Sequence, residues 1–170
     1  MSDIQIIPLS DAIGAEIRGV DLREPLPTET ARAIEQAWFD HVVIVFRGQD
    51  ITLDQQKAFG ANFGEIAIRV REGTTRAERE MGENVMIISN IRENGEQIGK
   101  LPDGEMMFHS DTPYFENPQK ATILYAIEVP SHGGETLFSN SYKVAESLPE
   151  DIKHKIAGRK ALQIYNTTRT

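Results

Sequence analysis

Two runs of strand-forming composition, TILYAIEV (122–129) and ETLFSN (135–140), are separated by the connector PSHGG. Both runs are rich in β-branched and aromatic residues, and the connector holds a proline and a glycine pair. Together they predict a hairpin with a longer loop. Similar short runs recur along the chain: IQIIPL (4–9), AEIRGVDL (15–22), VMIISNI (85–91), MMFHSD (106–111) and ALQIYN (161–166). VVIVF (42–46) is apolar throughout and predicts a buried strand. Asn94-Gly95 is a turn signal.

Helical patterns are fewer. Residues 28–40 place Ala31, Ile34 and Trp38 on one side, with Pro27 and Thr28 at the start. Residues 52–64 begin with Thr52 and Gln55 at capping-box spacing, carry Gly60 inside and end at Gly64. SYKVAESL (141–148) and PEDIKHKIA (149–157) predict two short helices, the second stopped by Gly158. Residues 69–83 are dense in charge and predict a solvated loop or exposed helix, with a lid over a site as the alternative. Helices near the front followed by many short strands indicate an α+β fold with a sandwich or barrel core. The last strand, 161–166, has no successor to pair with, so residues 1–170 are expected to be the first part of a longer domain.

Composition excludes several classes. The 170 residues contain no cysteine, which removes disulfides, thiolate metal sites and a cysteine nucleophile and suits a cytoplasmic protein. The net charge of -8 disfavours a nucleic-acid backbone as partner. No apolar run reaches membrane-spanning length, and the first residues lack the pattern of a signal peptide. No GxxxxGK[ST] or GxGxxG phosphate loop occurs, and no Ser-His-Asp order is legible.

FHSDTPY (108–114) carries the clearest chemistry. On a strand, His109 and Asp111 point to one face while Ser110 faces away. Imidazole plus carboxylate suits Fe(II), Mn(II) or Zn(II). The spacing alone also fits a strand-end histidine hydrogen-bonded to a nearby aspartate. In HGGETLFSN (132–140), Gly133 and Gly134 allow a tight turn, and Thr136 is either a carboxylate-binding hydroxyl or an ordinary strand threonine. Arg69 and Arg71 would attract an anion if they are not simply solvated. His41 at a helix–strand junction reads as structural, His132 in a turn as solvated and His154 on a charged helix as surface.

These pieces, in their order, resemble the TauD/TfdA-type Fe(II)- and 2-oxoglutarate-dependent dioxygenases. The resemblance rests on GAEIRGVDL, VVIVFRGQ, the helix ending in FGEI, ISN ahead of FHSD, and then PxxATILYAIEVPSHGGETLFSN. The Thr of GGET follows the His of HxD by 27 residues (136 − 109). The resemblance implies a double-stranded β-helix, or jelly roll, with flanking helices, and a facial triad of two His and one carboxylate on Fe(II). His109 and Asp111 match the first two ligands, and Thr136 matches the residue that binds a 2-oxoglutarate carboxylate. Arg69 falls where members contact substrate, and Asn90 and Tyr114 fall near the pocket, whose dry wall would include Phe108 and Phe115. The distal His ligand and the arginine for 2-oxoglutarate have no match within the 170 residues. The implied reaction uses O2 to hydroxylate a small, mostly anionic molecule, releasing succinate and CO2. The substrate and any homo-oligomer remain open. FHSD differs from the WHTD associated with taurine enzymes. The rival readings are a cupin-type metalloenzyme that needs no 2-oxoglutarate, and a non-catalytic jelly-roll fragment.

Overall fold

The computed structural model describes residues 4–68, 76–82, 84–99 and 107–164. They fall into two compact units, one built from residues 1–63 with 110–170 and the other from residues 64–109.

The first unit is organised by a three-stranded sheet. β1 (Gln5–Pro8) pairs antiparallel with β2 (Ala15–Arg18), Gln5 opposite Arg18 and Pro8 opposite Ala15. The turn between them is closed by Ser10, whose hydroxyl accepts from the Ile13 amide at 2.9 Å and donates to its carbonyl at 2.6 Å. α1 (Thr28–His41) then crosses back to β3 (Ile44–Val45), which lies parallel to β2. The central position of β2 explains why Ala15, Glu16 and Ile17 are all buried. α1 buries Thr30, Ala31, Ile34 and Ala37, the three-to-four spacing of one helix face. Ile34 and Ala37 join Ile17, Leu22 and Phe59 in the core. Phe59 also meets Phe46 and Phe63 edge-on, with ring centroids 5.3 and 5.1 Å apart.

The expected strand 42–46 is shorter and less buried than its composition predicts. α1 continues to His41, and Val42 takes a left-handed conformation (φ 67°) as the C-cap, its amide bonded to the Trp38 carbonyl. A β-branched residue there is strained. Only Ile44 and Val45 remain to pair, and the whole run is half-buried. His41 is half-buried at this junction, its carbonyl accepting from the Gly14 amide at 2.9 Å.

α2 (Leu53–Ala61) begins at the capping box: the Gln55 amide donates to the Thr52 hydroxyl at 3.3 Å, and the Thr52 amide donates to the Gln55 side chain at 2.8 Å. It ends before Gly64 because the Asn62 side-chain amide takes the Ala58 and Phe59 carbonyls. Thr52→Ala is expected to cost about 1 kcal/mol, read as a lower denaturant midpoint with unchanged slope.

GAEIRGVDL and VVIVFRGQ hold one another. Gln49 accepts from the Leu22 amide at 3.0 Å and donates to the Val20 carbonyl at 3.1 Å. Buried Glu16 meets Arg18 at 2.8 Å and Arg47 at 3.7 Å. The Arg18 hydrogen bond, with the charges of both arginines, holds the Glu16 carboxyl below its ordinary range against the cost of burial.

Later in the same unit, α4 (Ser141–Ser147) is capped by Asn140, which also donates to the Ala12 carbonyl at 2.8 Å. α5 (Glu150–Ile156) is followed by Gly158 at φ 70°. Neither helix contains a buried residue. The hairpin expected from 122–140 differs from the structure: these residues carry no strand pairing. Apart from the half-buried Tyr125, their apolar side chains are exposed, Ile127 at 76% and Leu137 at 71%. Strand-forming composition makes a strand only where a ladder partner satisfies the backbone and a second layer covers the face. Residues 161–164 are likewise exposed and unpaired in any ladder; 165 and 166 lie outside the described residues.

In the second unit, β4 (Arg92–Glu93) and β5 (Glu96–Gln97) form a tight antiparallel hairpin. Asn94 and Gly95 both have positive φ, 52° and 85°, as the predicted turn requires. Residues 85–91 lie outside any ladder. Within 69–83, residues 76–81 form α3 (Arg76–Met81); residues 69–75 and 83 lie outside the described residues. α3 is not wholly exposed, because Glu78 is buried.

Candidate metal and co-substrate site

His109 is the last residue of the second unit, and Ser110 and Asp111 open the returning part of the first. Residues 107–110 pair with no strand, so the same-face argument from strand spacing does not hold here. His109 is exposed, and its Nδ1 lies 3.0 Å from the Met107 carbonyl oxygen. A carbonyl only accepts, so this contact is a hydrogen bond in the tautomer that protonates Nδ1. That tautomer is the one in which Nε2 can bind a metal.

Asp111 is exposed, and its Oδ2 accepts a hydrogen bond from the Thr122 hydroxyl at 2.7 Å. Thr112 follows in a left-handed conformation (φ 52°). Its hydroxyl accepts from the Gln119 amide at 2.9 Å and its carbonyl from the Phe115 amide at 3.1 Å. The chain therefore reverses directly after Asp111. Tyr114 is half-buried against Phe115, ring centroids 4.8 Å apart. Phe108 is 69% exposed.

Thr136 lines an open depression of about 350 Å³ formed by residues 129–136, His132 among them. Gly133 and Gly134 make the turn with φ of 73° and 75°. A Cβ on Gly134 would come within 2.9 Å of Pro130 Cγ, so both conformation and space demand glycine. Thr136, His132, Asn90 and His154 are exposed. Arg69 and Arg71 lie outside the described residues. Among the described residues no group of three or more His, Asp or Glu side chains converges as a metal cage. No helix among them is long and apolar enough to cross a membrane.

Sequence reasoning missed the segment that supports Asp111. Lys120 pairs with Glu35 of α1 at 2.7 Å and lies 5.4 Å from the centroids of the Trp38 and Phe39 rings. Gln56 of α2 donates to the Ile123 carbonyl at 3.3 Å, and the Tyr125 hydroxyl accepts from the Ile51 amide at 3.3 Å. The motif PxxATILY contains Lys120, Ile123 and Tyr125, but spacing along the chain says nothing of which helix they meet.

Comparison with known protein families places the chain. Residues 5–170 match the family described as "Taurine catabolism dioxygenase TauD, TfdA family". The chain belongs to the TauD/TfdA family. It is 32% identical over 162 residues to the alpha-ketoglutarate-dependent 2,4-dichlorophenoxyacetate dioxygenase of Cupriavidus pinatubonensis, covering 91% of this chain and 56% of that protein. It is 35% identical over 162 residues to the pentalenolactone F synthase of Streptomyces avermitilis, covering 94% of this chain and 52% of that protein. The chain thus spans about half the length of the curated relatives it matches. Among solved structures, a taurine dioxygenase from Burkholderia xenovorans is 43% identical over 38% of this TauD/TfdA chain and 24% of its own, with a TM-score of 0.38. Membership of the TauD/TfdA family implies a jelly-roll fold; the short strands described above neither display it nor conflict with it.

Proposed function

We propose that this TauD/TfdA chain is the N-terminal portion of a single-domain, non-haem Fe(II)- and 2-oxoglutarate-dependent dioxygenase that hydroxylates a small anionic organic molecule. Family membership over residues 5–170 is the observation that carries this reading. In it the α+β architecture is a double-stranded β-helix with flanking helices, and the enzyme is cytoplasmic. The donor chemistry fits iron: the imidazole of His109 and the carboxylate of Asp111 suit a first-row divalent ion. When bound, iron and 2-oxoglutarate supply the oxidising chemistry, with O2 consumed and succinate and CO2 released.

The chain's own residues bind and orient. His109 and Asp111 hold the ion, and Thr136 donates its hydroxyl to a 2-oxoglutarate carboxylate from the turn that Gly133 and Gly134 permit. Tyr114, Asn90 and Arg69 contact the substrate, and Arg69 attracts its negative charge. The second histidine ligand and the arginine facing the far carboxylate come from residues other than these 170. An anionic substrate class is supported by the relatives, one of which is named for 2,4-dichlorophenoxyacetate and another, from Pseudomonas putida, for a sulfate ester.

The test is the coupling of oxygen uptake to succinate release in the full-length protein. The proposal expects both to require Fe(II) and 2-oxoglutarate together. Substrate oxidation that proceeds without 2-oxoglutarate would instead identify a cupin-type metalloenzyme.

A further inference from the structure

We infer that Thr122 is a positioning residue that fixes the direction in which the Asp111 carboxylate presents itself to the metal. The inference rests on the reading of Asp111 as a ligand. An aspartate side chain rotates about two torsions, and an unrestrained carboxylate samples several orientations before it meets an ion. Hydrogen-bonding one oxygen removes part of that freedom and favours single-oxygen ligation in a fixed direction. The Thr122 hydroxyl donates to Asp111 Oδ2 at 2.7 Å, the short distance of a hydroxyl–carboxylate bond.

A positioning group is useful only if it is itself held, and Thr122 is. Lys120, two residues before it, is anchored on α1 through Glu35 at 2.7 Å and also reaches the Phe63 carbonyl at 3.4 Å. Ile123, directly after it, is held by Gln56 of α2. Tyr125 bonds to the backbone just before α2, accepting from Ile51 and donating to Gln49. Gln119 closes the same loop from the other side by bonding to Thr112, next to Asp111. Thus 119–125 is an arm fixed to two helices, with Thr122 as its contact to the carboxylate. Because 122–129 has no ladder partner, the arm's place comes from these side-chain ties.

The test is a Mn(II) titration of the full-length protein, followed by the electron paramagnetic resonance signal of the unbound ion. Thr122→Val deletes the hydroxyl at nearly constant shape, and Thr122→Ser keeps it. The expected result is a dissociation constant about 10-fold higher for Thr122→Val and within about 2-fold of the original for Thr122→Ser, the size of effect expected for a partner of a metal ligand. Matched circular dichroism spectra and melting curves separate this from loss of folding. Thr122→Val binding as tightly as the unaltered protein, with binding lost in Asp111→Ala, would overturn the positioning role alone. Unchanged binding in both Asp111→Ala and His109→Ala would overturn the ligand assignment, and the positioning role with it.

Discussion

His109→Ala and Asp111→Ala are each expected to reduce Fe(II)-dependent succinate release to the level seen without iron. Losing an outer partner of a metal ligand costs roughly 10–100-fold in affinity or activity, and losing the ligand itself costs more. The imidazole cannot be replaced by water without loss, because a nitrogen donor suits a first-row divalent ion, and in the proposed site the Nδ1 contact with the Met107 carbonyl leaves Nε2 for that ion. Asp111→Asn discriminates further: it keeps the shape and an acceptor oxygen but removes the negative charge that a divalent ion favours. It is expected to lose nearly as much as Asp111→Ala. Both side chains are exposed and outside the core, so these variants should melt within a degree or two of the unaltered protein, a shift of under about 0.5 kcal/mol. Quantifying succinate in parallel with the melting curve checks both halves of the expectation.

Ile34→Ala is expected to show the opposite pattern, a large loss of stability from a residue remote in sequence from the proposed site. Ile34 is fully buried on α1, among Ile17, Leu22, Ala37 and Phe59. Truncation removes three carbons from contact and leaves a cavity that a helix packed on a sheet closes only in part, for a cost of about 2–5 kcal/mol. For a domain of this size that corresponds to a fall in melting temperature of about 2–4 °C for each kcal/mol. Ile34→Val should cost about 0.5–1.5 kcal/mol, because most of the contact remains. Equal effects of the two substitutions in a thermal or denaturant melt would mean that the core is not centred on this face.

Features that depend on near neighbours were readable from the sequence. The capping box at Thr52 and Gln55 needs only three residues of spacing, and the Asn94-Gly95 turn needs only its own two positive φ angles. The buried face of α1 follows from helical periodicity, with Ala31 and Ile34 on it as expected. What failed depends on distant partners. Residues 122–129 have the composition of a strand, but composition names no ladder partner, and in the described residues none is paired. Val42 looks like the start of a buried strand, yet the length of α1 makes it a strained cap. The same holds for the site. His109, Asp111 and Thr136 stand out by residue type and motif, whereas the support of Asp111 joins residues 11 apart (Asp111 to Thr122) and 85 apart (Glu35 to Lys120). Those pairs were invisible until the backbone brought them together.

The most direct test of the central claim is an anaerobic visible titration of the full-length protein with Fe(II) and 2-oxoglutarate. The chelate of the two in a protein site gives a weak charge-transfer band that neither gives alone. The account predicts that the band appears only when both are added, disappears in His109→Ala and in Asp111→Ala, and requires more 2-oxoglutarate in Thr136→Ala. A band of undiminished intensity in both His109→Ala and Asp111→Ala would contradict it.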